Sequence, residues 1–132
     1  MMIQKMSVAI LIERDDKILL IKRGVPPEKG SWALPGGHVD EGESPRDAAI
    51  REAKEEIGET EIEPEPFDIN PVEENRVGKR LKCHYFRGTL KEEPHAKDDA
   101  AAVGWFTLEQ IKTMDIAYYT RFIINRTFED QL

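Results

Sequence analysis

A glycine-punctuated turn that runs straight into a helix with three glutamates on one flank constrains this chain more than any other feature. The stretch from Gly37 to Glu59 reads GHVDEGESPRDAAIREAKEEIGE. Ser44 and Asp47 form an S-x-x-D variant of the capping box, Pro45 suits the first helical position, and Arg46 to Ile57 holds no glycine or proline. Together these signals predict a helix from about Pro45 to Ile57.

At about 100° per residue, Glu52, Glu55 and Glu56 fall within roughly a 100° arc, with Ile50, Ala53 and Ile57 on the opposite side. The expectation is that the Ile50 side enters the core and the acidic side stays free, with the small Ala48, one turn before Glu52, leaving room for approach. Glutamates on an exposed helix are ordinarily just a solvated face. Here, however, like charges at i,i+3 and i,i+4 repel by a few tenths of a kcal/mol each, and only Arg51 and Lys54 are placed to offset them. A divalent cation removes that conflict, because hard cations take oxygen ligands from carboxylates, carbonyls and water. The preceding Trp32-Ala33-Leu34-Pro35-Gly36-Gly37 supplies two glycines, which permit positive φ and leave carbonyls unshielded, so a main-chain oxygen can complete a coordination shell.

The order Gly37, five residues, Glu43, seven residues, Arg51-Glu52, two residues, Glu55-Glu56, one residue, Gly58 resembles the Nudix box of the Nudix (MutT-related) hydrolases. The preceding Leu-Pro-Gly-Gly is also similar to that family. One position departs from the pattern: Glu59 follows Gly58 where an aliphatic residue is usual, which touches packing at the helix exit more than chemistry. The resemblance implies a single Nudix domain over residues 1–132, an α/β/α sandwich around a mixed sheet. It also implies Mg²⁺- or Mn²⁺-dependent hydrolysis of a nucleoside diphosphate linked to another group. Carried over by position, Glu55 and Glu56 are metal ligands with the Gly36 carbonyl, and Glu52 is a ligand or the base that takes a proton from water. Arg51 holds Glu52, and Glu43 stands behind it. Gly37 is carried over as a backbone contact to substrate. Some members add an acidic residue before the last strand; Asp98 and Asp99 occupy that region, and Asp99 is the candidate for base, metal or purine contact.

Elsewhere, Ser7 to Glu13 and Lys17 to Arg23 predict a hairpin about Arg14-Asp15-Asp16. Gly24 to Ser31 reads as a loop at one lip of the pocket, leading to a short strand at Ala33-Leu34. Pro64 and Pro66 limit Thr60 to Asn70 to an edge or interrupted strand. Leu81 to Gly88 is expected to pair with the residues around Pro71 to Arg76 through a turn near Val77-Gly78-Lys79. Ala102 to Phe106 predicts the last strand, and Leu108 to Met114 and Ile116 to Thr127 predict helices, Thr107 being an N-cap with Gln110 three residues on. Interleaved hairpins and helices give a mixed sheet covered on both faces.

Arg23 is a candidate phosphate contact from the second strand, weighed against an ordinary surface ion pair. Trp32 is a candidate for base contact, weighed against a place in the core. His38, His84 and His95 show no zinc spacing. The net charge of −7 argues against broad nucleic-acid binding, which rests on clustered Lys and Arg. With one cysteine, Cys83, no intrachain disulfide can form, and no membrane span or export signal is read, so a soluble cytoplasmic protein is expected. Family members are often dimers, which keeps a homodimer open, although no apolar stripe demands a partner. ADP-ribose or a related nucleotide sugar is the leading substrate, because Phe67 to Pro71 and the later Asp98-Asp99 are loosely similar to that subgroup. Nucleoside triphosphates, as in MutT-like members, are the alternative, suited by the compact length and Lys22-Arg23-Gly24. A catalytically silent regulatory domain is disfavoured because all three box glutamates are present.

Overall fold

The computed structural model describes residues 5–26, 28–74, 79–97 and 100–129, with the backbone alone over 71–74 and 79–81. Its centre is β1 (Lys5–Arg14), in which five consecutive residues, Val8 to Ile12, are buried. A continuous apolar run marks a strand covered on both faces. Val8, Ile10 and Ile12 point into one apolar cluster, and Ala9 and Leu11 into the other.

Around β1 lie β2 (Lys17–Arg23), β3 (Trp32–Ala33), β4 (Gly36–His38), β5 (Thr60–Ile62), β6 (Asp68–Glu74), β7 (Lys79–Leu90) and β8 (Ala100–Thr107). They form an eight-stranded sheet. It is mixed: β1 runs parallel to β7, while β1 with β2, β2 with β8 and β7 with β6 are antiparallel. The hairpin turn falls at Asp15 and Asp16, both at positive φ (51° and 63°). The prolines of the 60–70 segment interrupt it as expected, separating β5 from β6; the turn expected near Val77-Gly78-Lys79 lies outside the described residues except for Lys79.

One edge of β1 is shared. Its end, Glu13 and Arg14, pairs with β2, whereas Ser7 to Ala9 pair with β4. The chain crosses this fork at Pro35, whose carbonyl accepts from the Ile10 N–H at 2.8 Å. The sequence reading took Gly36-Gly37 as part of a turn; the structure makes them a strand instead, because their backbone completes the β1 ladder.

The helix α1 (Pro45–Glu56) covers one face, packing Ala48, Ala49, Ala53 and the following Ile57 on Val8, Ile10, Ile12 and Phe86. The other face is covered by α2 (Leu108–Ile111) and α3 (Tyr118–Thr127), through Ile111, Ile123 and Ile124. Both carboxy-terminal helices are shorter than expected. The Thr107–Gln110 capping box does form at the start of α2. Trp32 N–H donates to the Asp115 carbonyl and the Ala117 N–H to the Trp32 carbonyl, each at 2.8 Å, so residues 115–117 run beside β3 before α3 begins.

Cys83 is 2% exposed, and burial pushes its thiol up to about 11. A thiol reagent at about pH 8 is therefore expected to label the native protein far more slowly than the urea-unfolded chain, because the thiolate is the reactive form. Equal rates would place Cys83 outside the core. Among the described residues no helix is long and apolar enough to cross a membrane.

Candidate functional site

The start and stop of α1 are local. Ser44 Oγ accepts from the Asp47 N–H at 3.1 Å, Pro45 opens the helix, and Gly58 at φ +126° ends it. Its rotation against the sheet is not local, and two sequence expectations fail there. Ile50 is 36% exposed, and Ala48 is wholly buried instead of lining an open approach. The buried face is centred on Ala49, Ala53 and Glu56, because alanines let the helix lie close to β1. The acidic flank is therefore partly tucked against the sheet, and Glu56 is only 5% exposed.

Glu56 faces the fork. Its Oε1 accepts from the Gly36 N–H at 2.9 Å. Beside it, a Cβ on Gly37 would lie 2.5 Å from the Glu52 carboxyl carbon, and one on Gly36 only 2.1 Å from the Val8 carbonyl oxygen. Neither glycine is at positive φ, contrary to the reason anticipated for them; the fork needs their missing side chains. The arrangement thus packs two glutamates of α1 against bare backbone of β4.

Arg51 ties the outer side together. It grips Glu43 with two bonds, Nε to Oε2 at 2.8 Å and Nη2 to Oε1 at 2.9 Å. Its Nη1 donates to Glu52 at 2.9 Å and to Glu55 at 3.4 Å, and Nη2 donates to the His38 carbonyl at 3.0 Å. Arg51 does hold Glu52, but its bidentate partner is Glu43. Asp40, which sequence reasoning missed, also lies 3.4 Å from Nη2, and its N–H donates to Glu43 Oε1 at 3.0 Å. The D-x-x-E spacing of Asp40 and Glu43 was the available signal, since it matches the reach of a capping-type turn.

These contacts split the carboxyl groups electrostatically. The Arg51 guanidinium, with help from the Asp40 N–H, draws Glu43 down from its ordinary 4.5 to about 2. Burial raises Glu52 despite Arg51, with Glu55 and Asp40 adding repulsion. Because the Glu43 value is depressed on folding, its stabilising contribution is complete above the unfolded value near 4.5 and is lost as pH falls through about 2. The melting-temperature gap between wild type and Glu43→Gln is expected to be constant near neutrality and to close as pH drops from about 5 toward about 2. A gap unchanged down to about pH 3 would show that the Arg51 pairing does not set the ionisation of Glu43.

Among the described residues no three acidic, imidazole or thiol groups stand together in a ready-made metal cage. Glu52 and Glu55 turn toward Arg51, and Glu56 toward Gly36. The donor set nevertheless fits a hard divalent cation: it is oxygen only, it carries more negative charge than one guanidinium balances, and bare backbone lies beside it. The Glu55 side chain is 46% exposed, open to such a cation.

The remaining candidates lie outside the contacts of Arg51 or outside the described residues. Asp98 and Asp99 are outside the described residues; the neighbouring Lys97 N–H donates to the Glu56 carbonyl at 3.0 Å. Arg23 sits where the β2–β8 register shifts, its charge close enough to act on the Tyr119 hydroxyl. Trp32 packs edge-on against Phe106 at 4.9 Å, on the α2–α3 side of the sheet. The 24–31 loop is tied to α3, Glu28 accepting from the Tyr118 N–H at 3.2 Å. Glu59 is exposed, so its departure from the usual pattern disturbs no core position.

Known proteins resemble this chain in sequence and in fold. An ADP-ribose pyrophosphatase of Methanocaldococcus jannaschii is 58% identical over 48 residues, 36% of this chain but only 28% of that protein. A CTP pyrophosphohydrolase of Escherichia coli is 48% identical over 95 residues, covering 67% of this chain and 68% of that one. The crystal structure of a bifunctional NMN adenylyltransferase/ADP ribose pyrophosphatase from Francisella tularensis, complexed with AMP and a Mn ion, superposes with a TM-score of 0.80. It is 26% identical, over 98% of this chain and 42% of that one. Residues 4–124 match the NUDIX domain, and with the box residues seated on the sheet as described, this chain belongs to the Nudix hydrolase family.

Proposed function

We propose that this chain is a divalent-cation-dependent pyrophosphohydrolase that cleaves a nucleoside diphosphate linked to a further group, with ADP-ribose as the leading substrate. The observation that carries the reading is the seating of Glu56 and Glu52 against the Gly36-Gly37 backbone, with Arg51 bracing Glu52 from outside. Glu55, Glu56 and the Gly36 carbonyl would hold Mg²⁺ or Mn²⁺. The bound cation supplies neutralisation of phosphoryl charge and acidification of water. Glu52 shares in holding it or takes the proton of the attacking water, a role suited by the burial that raises its proton affinity. Asp99 is the second candidate base and a candidate contact to the purine. Arg23, Trp32 and the Gly37 backbone are the substrate contacts of this reading.

In the reaction, water attacks one phosphorus of the pyrophosphate and the bridging P–O bond breaks. ADP-ribose would then give AMP and ribose 5-phosphate. The archaeal relative named an ADP-ribose pyrophosphatase supports this choice. The Escherichia coli relative named a CTP pyrophosphohydrolase matches over a longer stretch and favours a second reading, in which a nucleoside triphosphate gives monophosphate and pyrophosphate.

Product analysis by chromatography separates the readings. The protein is incubated with Mg²⁺, and separately Mn²⁺, against ADP-ribose, other nucleotide sugars, canonical and oxidised nucleoside triphosphates and dinucleoside polyphosphates. AMP with ribose 5-phosphate supports the first reading and monophosphate with pyrophosphate the second. Binding without turnover of any of them would move the assignment to a regulatory nucleotide-binding domain.

A further inference from the structure

Leu34 lies between β3 and β4, at the fork where the chain has left one ladder and not yet joined the next. It is wholly buried, so its backbone N–H and carbonyl need partners inside the protein. Both come from adjacent residues of α3. The Leu34 N–H donates to Thr120 Oγ1 at 2.9 Å, and Tyr119 Oη donates to the Leu34 carbonyl at 2.9 Å. Thr120 is itself wholly buried. Two residues later the same backbone presents the Gly36 N–H to Glu56 and the Gly37 face to Glu52.

We infer that Tyr119 and Thr120 are positioning residues of the hydrolytic site, clamping Leu34 so that the Gly36-Gly37 backbone is held at the correct height over Glu56 and Glu52. The clamp is short and stiff. Pro35 is the only residue between Leu34 and Gly36, and its ring fixes φ, so a displacement of Leu34 is passed on to Gly36 with little slack. The Pro35 carbonyl is pinned to the Ile10 N–H on β1, and Gly36 to His38 pair with β1 beyond it. Tyr119 and Thr120 fix the other end of this short segment by holding the Leu34 peptide groups on both sides. Tyr119 is also near enough to Glu56 and Arg23 for their charges to act on its hydroxyl. The α3 face of the sheet thereby gains a part in a site whose described glutamates, Glu52, Glu55 and Glu56, come from α1. The first turn of α3 is in turn joined to the 24–31 loop, the Glu28 carboxylate accepting from the Tyr118 N–H.

This inference rests on the pyrophosphohydrolase reading, and the experiment separates the two. Tyr119→Phe, Thr120→Ala and Thr120→Ser are compared with Glu56→Gln and with Arg121→Ala. The last removes bonds from Arg121 to the Ile111 and Met114 carbonyls and loosens α3 without touching Leu34. Mn²⁺ affinity is read by electron paramagnetic resonance, the Gly36 amide by hydrogen exchange, and folding by thermal melts. Tyr119→Phe and Thr120→Ala are expected to weaken Mn²⁺ by about tenfold, the size of effect seen when groups that orient metal ligands are removed. They should also speed exchange at Gly36, whereas Thr120→Ser restores both and Arg121→Ala lowers the melting temperature alone. If Tyr119→Phe and Thr120→Ala behave like Arg121→Ala, with metal affinity and Gly36 exchange at wild-type levels, the clamp is overturned. If Glu56→Gln itself binds Mn²⁺ as wild type does, the metal assignment fails, and the Gly36 exchange rates still decide the clamp.

Discussion

Glu56→Gln is expected to fold normally and to lose at least about 100-fold in kcat, the scale of losing metal-based charge stabilisation. The side chain is 5% exposed and its Oε1 accepts from the Gly36 N–H, a bond that the amide oxygen of glutamine can keep. The substitution therefore removes charge while preserving shape and the bond from Gly36. Circular dichroism and melting temperature should stay near wild type while turnover collapses. Near-normal turnover would remove Glu56 from the set of metal ligands and leave the work to Glu52 and Glu55.

The second large effect is on stability, at the fork. A Cβ on Gly36 would stand 2.1 Å from the Val8 carbonyl oxygen and 2.9 Å from the Ala9 Cα, both backbone atoms of the central strand. Relief requires opening the β1–β4 ladder, so Gly36→Ala should cost about 3 kcal/mol or more. That corresponds to a fall in melting temperature of roughly 10 °C or more. Gly37→Ala makes a different clash, against the Glu52 carboxyl group, which is the end of a flexible side chain. It should keep the fold while displacing Glu52, with activity down about tenfold or more. A Gly36→Ala protein as stable as wild type would contradict the close approach of β4 to β1.

Local chemistry made much of the fold legible in advance. The strand expected at Lys17 to Arg23 is observed with those bounds, and α1 ends one residue short of its expected length. The Ser44 and Thr107 caps form where the spacing put them. Each of these depends on neighbours within a turn or a hairpin, so a short window contains the relevant energetics. The start of α3 was misjudged because residues 115–117 pair beside β3, a contact between segments distant in sequence, whereas α2 ends early in a tightened turn, the Thr113 and Met114 N–H groups reaching back only three residues to the Gln110 and Ile111 carbonyls.

The acidic flank shows the boundary most clearly. By itself the sequence determined that Glu52, Glu55 and Glu56 share one side of a capped helix, because a 3.6-residue period allows no other placement. It did not determine which side of that helix meets the sheet. Ile50 looked like the natural anchor, yet three alanines won because they allow closer approach to β1, and that rotation drew Glu56 inward and left Ile50 at the surface. Nor did it show that Arg51 grips Glu43 in preference to Glu52, or that Leu34 is held from α3 by residues more than eighty positions away. Those outcomes follow from buried backbone groups and packed faces finding partners across the whole chain, and only the tertiary structure brings those partners together.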